Sequence, residues 1–178
     1  MSGILEGRVA IITGAGGGLG AAHAKVFASE GCAVVVNDIN TEAAQAVVEE
    51  ITAAGGKAVV NSSDITNYGD SMNAVKQAID SFGDLHIVLN NAGINRDRMF
   101  ASMTEQEWDA IMAVHLKGHF CISSHAVHYW RGQSKEGKPV DARILNTTSG
   151  AGLQGSIGQS NYAAAKAGIA ALTLNQAA

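Results

Sequence analysis

Tyr162 and Lys166 are the two residues in this sequence whose types and spacing point most directly to chemistry. They stand four positions apart in Tyr-Ala-Ala-Ala-Lys, inside an alanine-rich stretch that predicts a helix. Both side chains would therefore lie on one helix face. An ammonium group one turn from a phenol stabilises the tyrosinate, which suits the phenol to general acid/base catalysis. Taken alone, the pair is weak evidence, because the same spacing also occurs on solvated helix faces.

A glycine-rich segment over residues 13–20, Thr-Gly-Ala-Gly-Gly-Gly-Leu-Gly, predicts a binding loop for a diphosphate. It follows a predicted strand and opens a predicted helix, whose first N–H groups favour an anion. Gly14 permits a tight turn, Gly18 lets the backbone approach a pyrophosphate, and Gly20 lets the helix pack on the strand. The predicted cofactor-binding residues here are Gly14, Gly17, Gly18, Leu19 and Gly20. The alternative is a flexible turn without a ligand. Ala-Ala follows the last glycine where a kinase or ATPase loop needs Lys-Ser or Lys-Thr.

Asp38 ends the second predicted strand, 20 residues after Gly18. A carboxylate at this place accepts hydrogen bonds from the adenosine ribose of NAD and repels the 2′-phosphate of NADP. The neighbours Asn37, Ile39 and Asn40 carry no positive charge. We therefore expect NAD as the cofactor, with Asp38 and Ile39 in its site. The alternative is a helix cap, since Asp38 and Asn40 precede a predicted helix.

Short β-branched runs alternate with longer alanine-rich stretches along the chain. The predicted strands are residues 9–13, 33–37, 57–60, 86–89 and 143–146. The predicted helices are residues 18–30, 41–54, 67–82 and 104–130, with a last one from about 158. Apolar strands without alternation fit a sheet that is covered on both faces. The order predicts an α/β fold with a Rossmann-type, doubly wound parallel sheet.

The predicted helix over residues 104–130 has a clear start signal. Thr104 and Glu107 form a capping-box pattern. Trp108, Met112 and His115 then share one helix face, which directs His115 toward the interior. The polar segment 132–141 contains the only proline and predicts a surface loop.

Five motifs in this order make the chain similar to the short-chain dehydrogenase/reductase family. They are the glycine loop, Asp64-Ile65, Asn90-Asn91-Ala92-Gly93, Ser149, and Tyr162 with Lys166. Ser149 stands 13 residues before Tyr162, which is the family's usual interval. The motifs Val-Val-Val-Asn-Asp (34–38) and Val-His-Leu-Lys-Gly (114–118) resemble the 3-hydroxyacyl-CoA dehydrogenase and 3-oxoacyl reductase branch. The resemblance covers almost the whole chain.

The resemblance implies an NAD(H)-dependent oxidoreductase that interconverts a secondary alcohol and a ketone. In that interpretation Tyr162 exchanges a proton with the substrate oxygen, while Lys166 binds the nicotinamide ribose and lowers the pKa of the phenol. Ser149 orients the carbonyl or hydroxyl. The cofactor-binding residues implied beyond the glycine loop and Asp38 are Asp64, Ile65, Asn91, Ala92, Gly93, Tyr162 and Lys166.

His115 departs from the family pattern, because the family commonly places a catalytic asparagine there. In the family that asparagine is thought to hold a relay water, partly through its backbone carbonyl. A backbone role survives the change to histidine. Two interpretations of His115 stay open, a hydrogen-bonded core histidine and a participant in the proton relay.

Composition excludes several other classes of protein. The net charge of −4 and the lack of a basic stripe argue against nucleic acid as a partner. No apolar run reaches the ~20 residues of a membrane span, and no signal-peptide pattern is present, so we expect a cytoplasmic protein without a membrane partner. Cys32 and Cys121 form no CxxC motif and are expected to be small core residues. A zinc site is disfavoured because His115 and His119 lack an HExxH motif, and GxSxG is absent, so no metal and no hydrolase serine is expected.

The length of 178 residues predicts a single NAD-binding domain over residues 1–178. The last predicted helix lacks a stop signal, and family members usually continue for roughly another 70 residues, so we expect a truncated domain that lacks its C-terminal strands. The resemblance also implies a homodimer or homotetramer. The segment 147–158, which the resemblance places at the substrate side, is small and uncharged and favours an aliphatic or steroid-like alcohol or ketone. The resemblance of residues 34–38 and 114–118 to the hydroxyacyl-CoA branch implies a 3-hydroxyacyl thioester as substrate. The alternative function is a catalytically impaired NAD-binding sensor or assembly protein.

Overall fold

Five parallel strands form one sheet with the spatial order β3-β2-β1-β4-β5. The computed structural model describes residues 3–178. The strands are β1 Val9–Thr13, β2 Ala33–Asn37, β3 Lys57–Asn61, β4 Ile87–Asn90 and β5 Arg143–Asn146. The helices are α1 Gly18–Ser29, α2 Thr41–Ala53, α3 Tyr68–Phe82, α4 Glu105–Ile111, α5 Gly118–Lys135, α6 Ala151–Gln154 and α7 Ser160–Ala177. None of these helices combines the length and the apolarity needed to cross a membrane.

The central strands β1, β2 and β4 are buried at every position, because helices cover both faces of the sheet. Alternate residues of β1 enter two separate cores. Ala10 and Ile12 pack in the core beneath α1 and α2, whereas Val9 and Ile11 pack in the core beneath α3 and α5. This arrangement confirms the predicted α/β Rossmann-type doubly wound sheet. Within the described residues β3 and β5 are the outer strands, and both are partly exposed.

The prediction of one continuous helix over residues 104–130 is wrong in two respects. The start is confirmed, since the Thr104 hydroxyl accepts the N–H of Glu107 and the Glu107 carboxylate accepts the N–H of Thr104. A π-helical turn, Met112–Lys117, however, separates α4 from α5. Such a turn depends on i→i+5 hydrogen bonds rather than on particular residue types, so the apolar pattern does not reveal it. In addition α5 continues to Lys135, because the polar residues that suggested a loop are also compatible with an exposed helix face.

The order of the strands reverses between β1 and β4, and the carboxyl ends of these two strands define a crevice. The glycine loop follows β1 and the Asn91-Ala92-Gly93 segment follows β4. Other strand boundaries differ from the predictions by one residue, at the end of β3 and at both ends of β4, and the ends of the other predicted helices differ by one or two residues. This switch point is the place where an open α/β sheet binds its ligands.

The two cysteines are free and buried, as the sequence predicted. Burial raises the pKa of the Cys32 thiol to about 12 and also raises that of Cys121. Both thiols are therefore protonated at neutral pH and act as small core groups.

Candidate active site

The glycine loop leaves the start of α1 open. The extended residue Gly17 precedes the helix and offers no capping side chain, so no side chain covers the first-turn N–H groups. Gly17, Gly18 and Leu19 are exposed. A Cβ atom at Gly17 or Gly18 would meet nothing within 4 Å. Exposed N–H groups at a helix start form a ready site for an anion.

Two other glycines of the loop permit close backbone contacts. Gly14 has a φ of +63°, and a Cβ there would lie 2.7 Å from the Cα of Ala92. A Cβ at Gly20 would overlap the carbonyl oxygen of Gly14 and lie 2.7 Å from the Asn91 amide nitrogen. Gly14 therefore permits the tight turn that the sequence pattern predicted, and Gly20 lets α1 pack against that turn, just beyond the strand on which it was expected to pack.

Asp38 lies beside the loop. Its carboxylate accepts the N–H of Gly16 at 3.0 Å and the N–H of Asn40 at 2.9 Å. The cap of α2 is Asn40, whose side chain accepts the N–H of Ala43 at 3.1 Å. The carboxylate of Asp38 is thus free of the capping role and remains partly exposed at the edge of the loop. Ile39 next to it is largely exposed.

The segment after β4 is tied to the glycine loop. The Thr13 hydroxyl accepts the N–H groups of Asn91 at 3.0 Å and Ala92 at 3.1 Å. The Asn91 amide donates to the carbonyl of Thr13 at 3.0 Å and to that of Gly14 at 3.3 Å. These contacts join two segments that are about 80 residues apart in the sequence. They hold the base of the crevice in place.

Asp64 and Ile65, which the resemblance placed near an adenine, differ in their surroundings. The Asp64 side chain is exposed and accepts the N–H of Thr66 at 2.8 Å. Ile65 is buried in the core beneath α5, and its side chain fills the space next to Gly118. Only the backbone of Ile65 is therefore left for a cofactor contact.

Tyr162 and Lys166 lie together on α7, with the Lys166 Nζ 5.5 Å from the centroid of the Tyr162 ring. Lys166 is only 2% exposed, and its ammonium donates to the carbonyl oxygen of Thr147 at 2.5 Å. Burial lowers the pKa of Lys166 to about 8. The ammonium is therefore still protonated at neutral pH and places a positive charge beside the phenol.

His115 packs edge-on against Tyr162, with ring centroids 5.2 Å apart. Its Nε2 lies 2.8 Å from the carbonyl oxygen and 3.2 Å from the nitrogen of Ile94. A Cβ at Gly93 would lie 2.6 Å from the ring, so glycine is needed there to make room for it. Burial lowers the pKa of His115, and the Lys166 charge lowers it further. His115 is thus a buried, hydrogen-bonded residue that also contacts the candidate catalytic phenol.

Ser149 lies in a segment that is fastened to α7. The Thr148 hydroxyl donates to the carbonyl of Lys166 at 2.8 Å, and Gly152 packs on the backbone of Lys166 and Ala167. The Ser149 hydroxyl accepts the N–H of Ala151 at 3.2 Å. These contacts hold the serine segment next to the start of α7, where Tyr162 and Lys166 lie.

Asn161 was missed by the sequence analysis. It is fully buried, and its amide donates to the carbonyls of Arg96 at 3.2 Å and Glu107 at 3.1 Å. Its oxygen accepts the N–H of Tyr162 at 2.8 Å. Asn161 therefore fixes the start of α7 against two earlier segments. The one signal in the sequence was that Asn161 directly precedes Tyr162. Polar residues are common at helix starts, so this position alone does not identify Asn161 as a functional residue.

An ion pair between Arg98 and Glu107 lies in the same two segments that Asn161 contacts. Arg98 contacts the Glu107 carboxylate at 2.8 Å, and its backbone N–H donates to the carbonyl of Gly158. The hydrogen bond from Arg98 lowers the pKa of Glu107 to about 2, with help from Thr104. Within residues 3–178 no cluster of histidine, cysteine, aspartate and glutamate is arranged to hold a metal ion.

The fold and the site together define a class of protein. A family model described as short chain dehydrogenase matches residues 8–178, and the chain belongs to that family. It is 50% identical over 180 residues to "Hydroxyacyl-CoA dehydrogenase ChsB1" of Mycobacterium tuberculosis, covering 97% of this chain and 56% of that protein. It is 44% identical over 176 residues to "Peroxisomal multifunctional enzyme type 2" of Mus musculus, covering 94% of this chain and 23% of that protein.

A solved structure gives the same result. The structure of a short chain dehydrogenase from Mycobacterium avium superposes with a TM-score of 0.95 and is 57% identical. The match covers 97% of this chain and 65% of that one. The chain thus spans about half to two thirds of these two mycobacterial relatives. The resemblance to the short-chain dehydrogenases, including relatives named for hydroxyacyl-CoA, is confirmed.

Proposed function

We propose that this protein is an NAD(H)-dependent oxidoreductase that interconverts a secondary alcohol and a ketone, with a 3-hydroxyacyl thioester as substrate. One observation carries the proposal. The buried ammonium of Lys166 lies 5.5 Å from the Tyr162 ring, on a helix beside the crevice that also contains the glycine loop. A phenol next to a buried positive charge is suited to exchange a proton with a substrate oxygen.

The residues of the crevice fit a dinucleotide. The uncapped start of α1 would hold the diphosphate through N–H groups. The Asp38 carboxylate would accept hydrogen bonds from the adenosine ribose, and its charge favours NAD over NADP. The backbone of Asn91, Ala92 and Gly93 would pass beside the cofactor. NAD, when bound, supplies the hydride chemistry that the side chains here lack.

The chain's own groups manage the proton and the substrate. Tyr162 would give a proton to, or take one from, the reacting oxygen. Lys166 keeps a positive charge beside the phenol because its pKa of about 8 is above neutral pH. Ser149 would hydrogen-bond the substrate oxygen. His115 supports the Tyr162 ring by edge contact and carries no charge at neutral pH.

The substrate side of the site favours an apolar acyl chain. Leu153 is 79% exposed and Ile157 is 90% exposed, next to the serine segment, where an aliphatic group could cover them. The name of one relative, a hydroxyacyl-CoA dehydrogenase, favours a thioester substrate over a steroid-like alcohol. The intact Ser149, Tyr162 and Lys166 favour an enzyme over the alternative, an NAD-binding sensor.

The test is an assay of the purified protein. We expect NADH formation from NAD⁺ with 3-hydroxyacyl-CoA, at a higher kcat/KM than with hydroxysteroids or simple secondary alcohols. Turnover with a hydroxysteroid alone would overturn the thioester proposal. A preference for NADP⁺ would overturn the role of Asp38. Tight NAD binding with no turnover of any alcohol would favour the sensor.

We also propose that the protein forms a homodimer through α5 and α7. Exposed apolar side chains lie on these two helices, including Phe120 on α5 and Leu174 on α7. Burying such side chains in a second copy would remove them from water. The molar mass from light scattering should be twice that of one chain, or a larger even multiple.

A further inference from the structure

Two buried asparagines join the carboxyl ends of β2 and β3. Asn37 and Asn61 are the last residues of these strands and stand opposite each other in the parallel register. Asn37 is 2% exposed and Asn61 is 6% exposed. The Asn37 amide donates to the Asn61 side-chain oxygen at 2.7 Å and to the Ser63 carbonyl at 3.0 Å. Two amides are thus buried where the sheet ends and the loops toward the crevice begin.

A third amide, from Gln77 on α3, extends this network. The Asn61 side-chain nitrogen donates to the Gln77 oxygen at 2.8 Å, and the Gln77 nitrogen donates to the Val60 carbonyl at 2.7 Å. The Asn61 oxygen also accepts the N–H of Ser63 at 3.2 Å. Each of the three amide nitrogens therefore has an acceptor, which favours one fixed arrangement of the network.

The backbone of the asparagine pair holds two segments that are proposed to contact the cofactor. The carbonyl of Asn37 accepts the N–H of Ala15 in the glycine loop at 2.9 Å. The carbonyl of Asn61 accepts the N–H of Asp38 at 3.0 Å. The height of the glycine loop and of the Asp38 carboxylate above the sheet therefore depends on where these two residues lie.

The side chains of the pair fix a third segment, the loop that contains Asp64. Both asparagine side chains bind the backbone of Ser63, which directly precedes Asp64. The N–H of Asp64 in turn donates to the Asp70 carboxylate on α3 at 2.6 Å. The family resemblance places Asp64 near an adenine, so this loop belongs to the same end of the crevice as Asp38.

The core of the sheet does not require amides at these two positions. The preceding residues of β2, Ala-Val-Val-Val over 33–36, are all apolar and buried. A matched apolar pair could replace two hydrogen-bonded amides at little cost in stability. Only polar side chains, however, can bind the loop backbone beyond the last ladder hydrogen bonds. The role of Asn37 and Asn61 therefore lies in the loops.

We propose that Asn37 and Asn61 are positioning residues for the adenosine half of NAD, and that they act through the backbone of the glycine loop, Asp38 and Asp64. The inference rests on the proposed function, since it takes this crevice as the NAD site. It assigns a role to two buried residues that would not touch the cofactor themselves.

Separate binding of the two halves of the cofactor tests the proposal without turnover. AMP probes the adenosine end, nicotinamide mononucleotide probes the other end, and calorimetry measures both Kd values. Asn37→Leu keeps the size of the side chain and leaves the Asn61 oxygen and the Ser63 carbonyl without their donor. It should raise the Kd for AMP roughly tenfold and keep that for nicotinamide mononucleotide within twofold. An unchanged Kd for AMP would overturn the proposal.

Steady-state kinetics give a second measurement on the same variant. A loss of binding at the adenosine end should raise KM for NAD⁺ roughly tenfold and leave kcat within twofold of wild type. A lower kcat with an unchanged KM would place the effect of Asn37 at the Tyr162 end and would contradict the inference.

Val34→Ala, on the same strand, is the matched control for lost stability. Val34 is 0% exposed and packs in the core beneath α1 and α2, so the truncation should lower the urea midpoint. The Kd for AMP should stay within twofold of wild type. A rise as large as that in Asn37→Leu would show that lost stability alone weakens AMP binding, and would overturn the positioning role.

Gln77→Met decides the matter if Asn37→Leu does not fold. Gln77 is half-buried, and methionine keeps its length while removing the amide that holds Asn61. The Kd for AMP should rise roughly threefold, because Asn61 keeps its bond to Asn37 and loses only its link to α3. A Kd equal to that of wild type would then overturn the proposal.

The outcomes separate this inference from the proposed function. If wild type binds NAD⁺ and AMP, and Asn37→Leu binds both equally well, the positioning role is wrong and the function stands. If wild type binds neither NAD⁺ nor AMP, the proposed function fails and the positioning role fails with it.

Discussion

The two ends of the crevice are built on different physical principles. At the glycine loop, polar groups are either exposed or paired, and the contacts are short approaches between backbone segments. At the Tyr162 end, titratable side chains are buried, several of their atoms are unpaired, and burial shifts their pKa values. The first region is suited to binding an anion and the second is suited to chemistry.

The difference shows where each region is vulnerable. Close backbone packing fails when atoms are added, so the glycine loop should be sensitive to side-chain size and insensitive to pH. A buried titratable group destabilises the folded state when it becomes charged, so the stability of the Tyr162 end should depend on pH. Four variants test this contrast, and we give them in order of decreasing expected effect.

Tyr162→Phe should have the largest effect and should act on turnover alone. The change removes the hydroxyl that would exchange the proton and keeps the ring that packs against His115. We expect kcat to fall by roughly 10²–10⁴-fold, with the Kd for NAD⁺ within threefold of wild type. Steady-state kinetics and fluorescence titration check the two quantities. Unchanged turnover would remove Tyr162 from the proposed mechanism.

Gly20→Ala should lower the free energy of unfolding by roughly 3 kcal/mol, since its Cβ would overlap the Gly14 carbonyl. Gly17→Ala is the matched control in the same loop. Its backbone is extended, with a φ of −167°, and its Cβ would meet nothing within 4 Å. We expect a change below about 0.5 kcal/mol there. Urea denaturation of both variants checks this, and equal losses would contradict the packing argument.

His119→Leu should make stability less sensitive to acid. The pKa of His119 is about 3 in the folded protein and about 6.5 in an unfolded chain, so the unfolded chain binds the proton first. The stability that depends on a neutral ring is complete above pH 6.5 and falls as the pH drops toward 3. Between pH 7.5 and pH 5 wild type should lose about 2 kcal/mol more than the variant.

Denaturant unfolding at pH 7.5 and pH 5.0 measures that difference. The comparison is between the pH dependences of the two proteins, so a constant change in packing energy cancels. Parallel loss of stability in both proteins would show that His119 does not contribute to acid sensitivity.

Asp38→Asn should have the smallest effect and should act on cofactor choice. The amide oxygen can still accept one of the two N–H groups, that of Gly16 or that of Asn40, which the two carboxylate oxygens of Asp38 accept, while the negative charge is removed. We expect the preference for NAD⁺ over NADP⁺, as a ratio of kcat/KM values, to fall roughly tenfold. An unchanged ratio would mean that Asp38 does not face the 2′ position of the ribose.

The elements of the crevice differed in how far the sequence could specify them. The strands and the glycine loop were predicted closely, because β-branched runs and glycine turns have strong local preferences. The π-helical turn Met112–Lys117 was not predicted, since it depends on how the helix packs rather than on which residues form it. The partners of Asn161 were also inaccessible, because Arg96 and Glu107 are distant in sequence and adjacent only in the fold.

The sequence by itself determined the sheet, the glycine loop, the Asp38 position and the pairing of Tyr162 with Lys166 on one helix face. Each follows from short-range geometry, which a few consecutive residues encode. Only the tertiary structure decided that Lys166 is buried, that His115 contacts Tyr162, and that His119 is buried without a protein partner. Burial and electrostatic environment depend on which segments surround a side chain, and those segments come from distant parts of the chain.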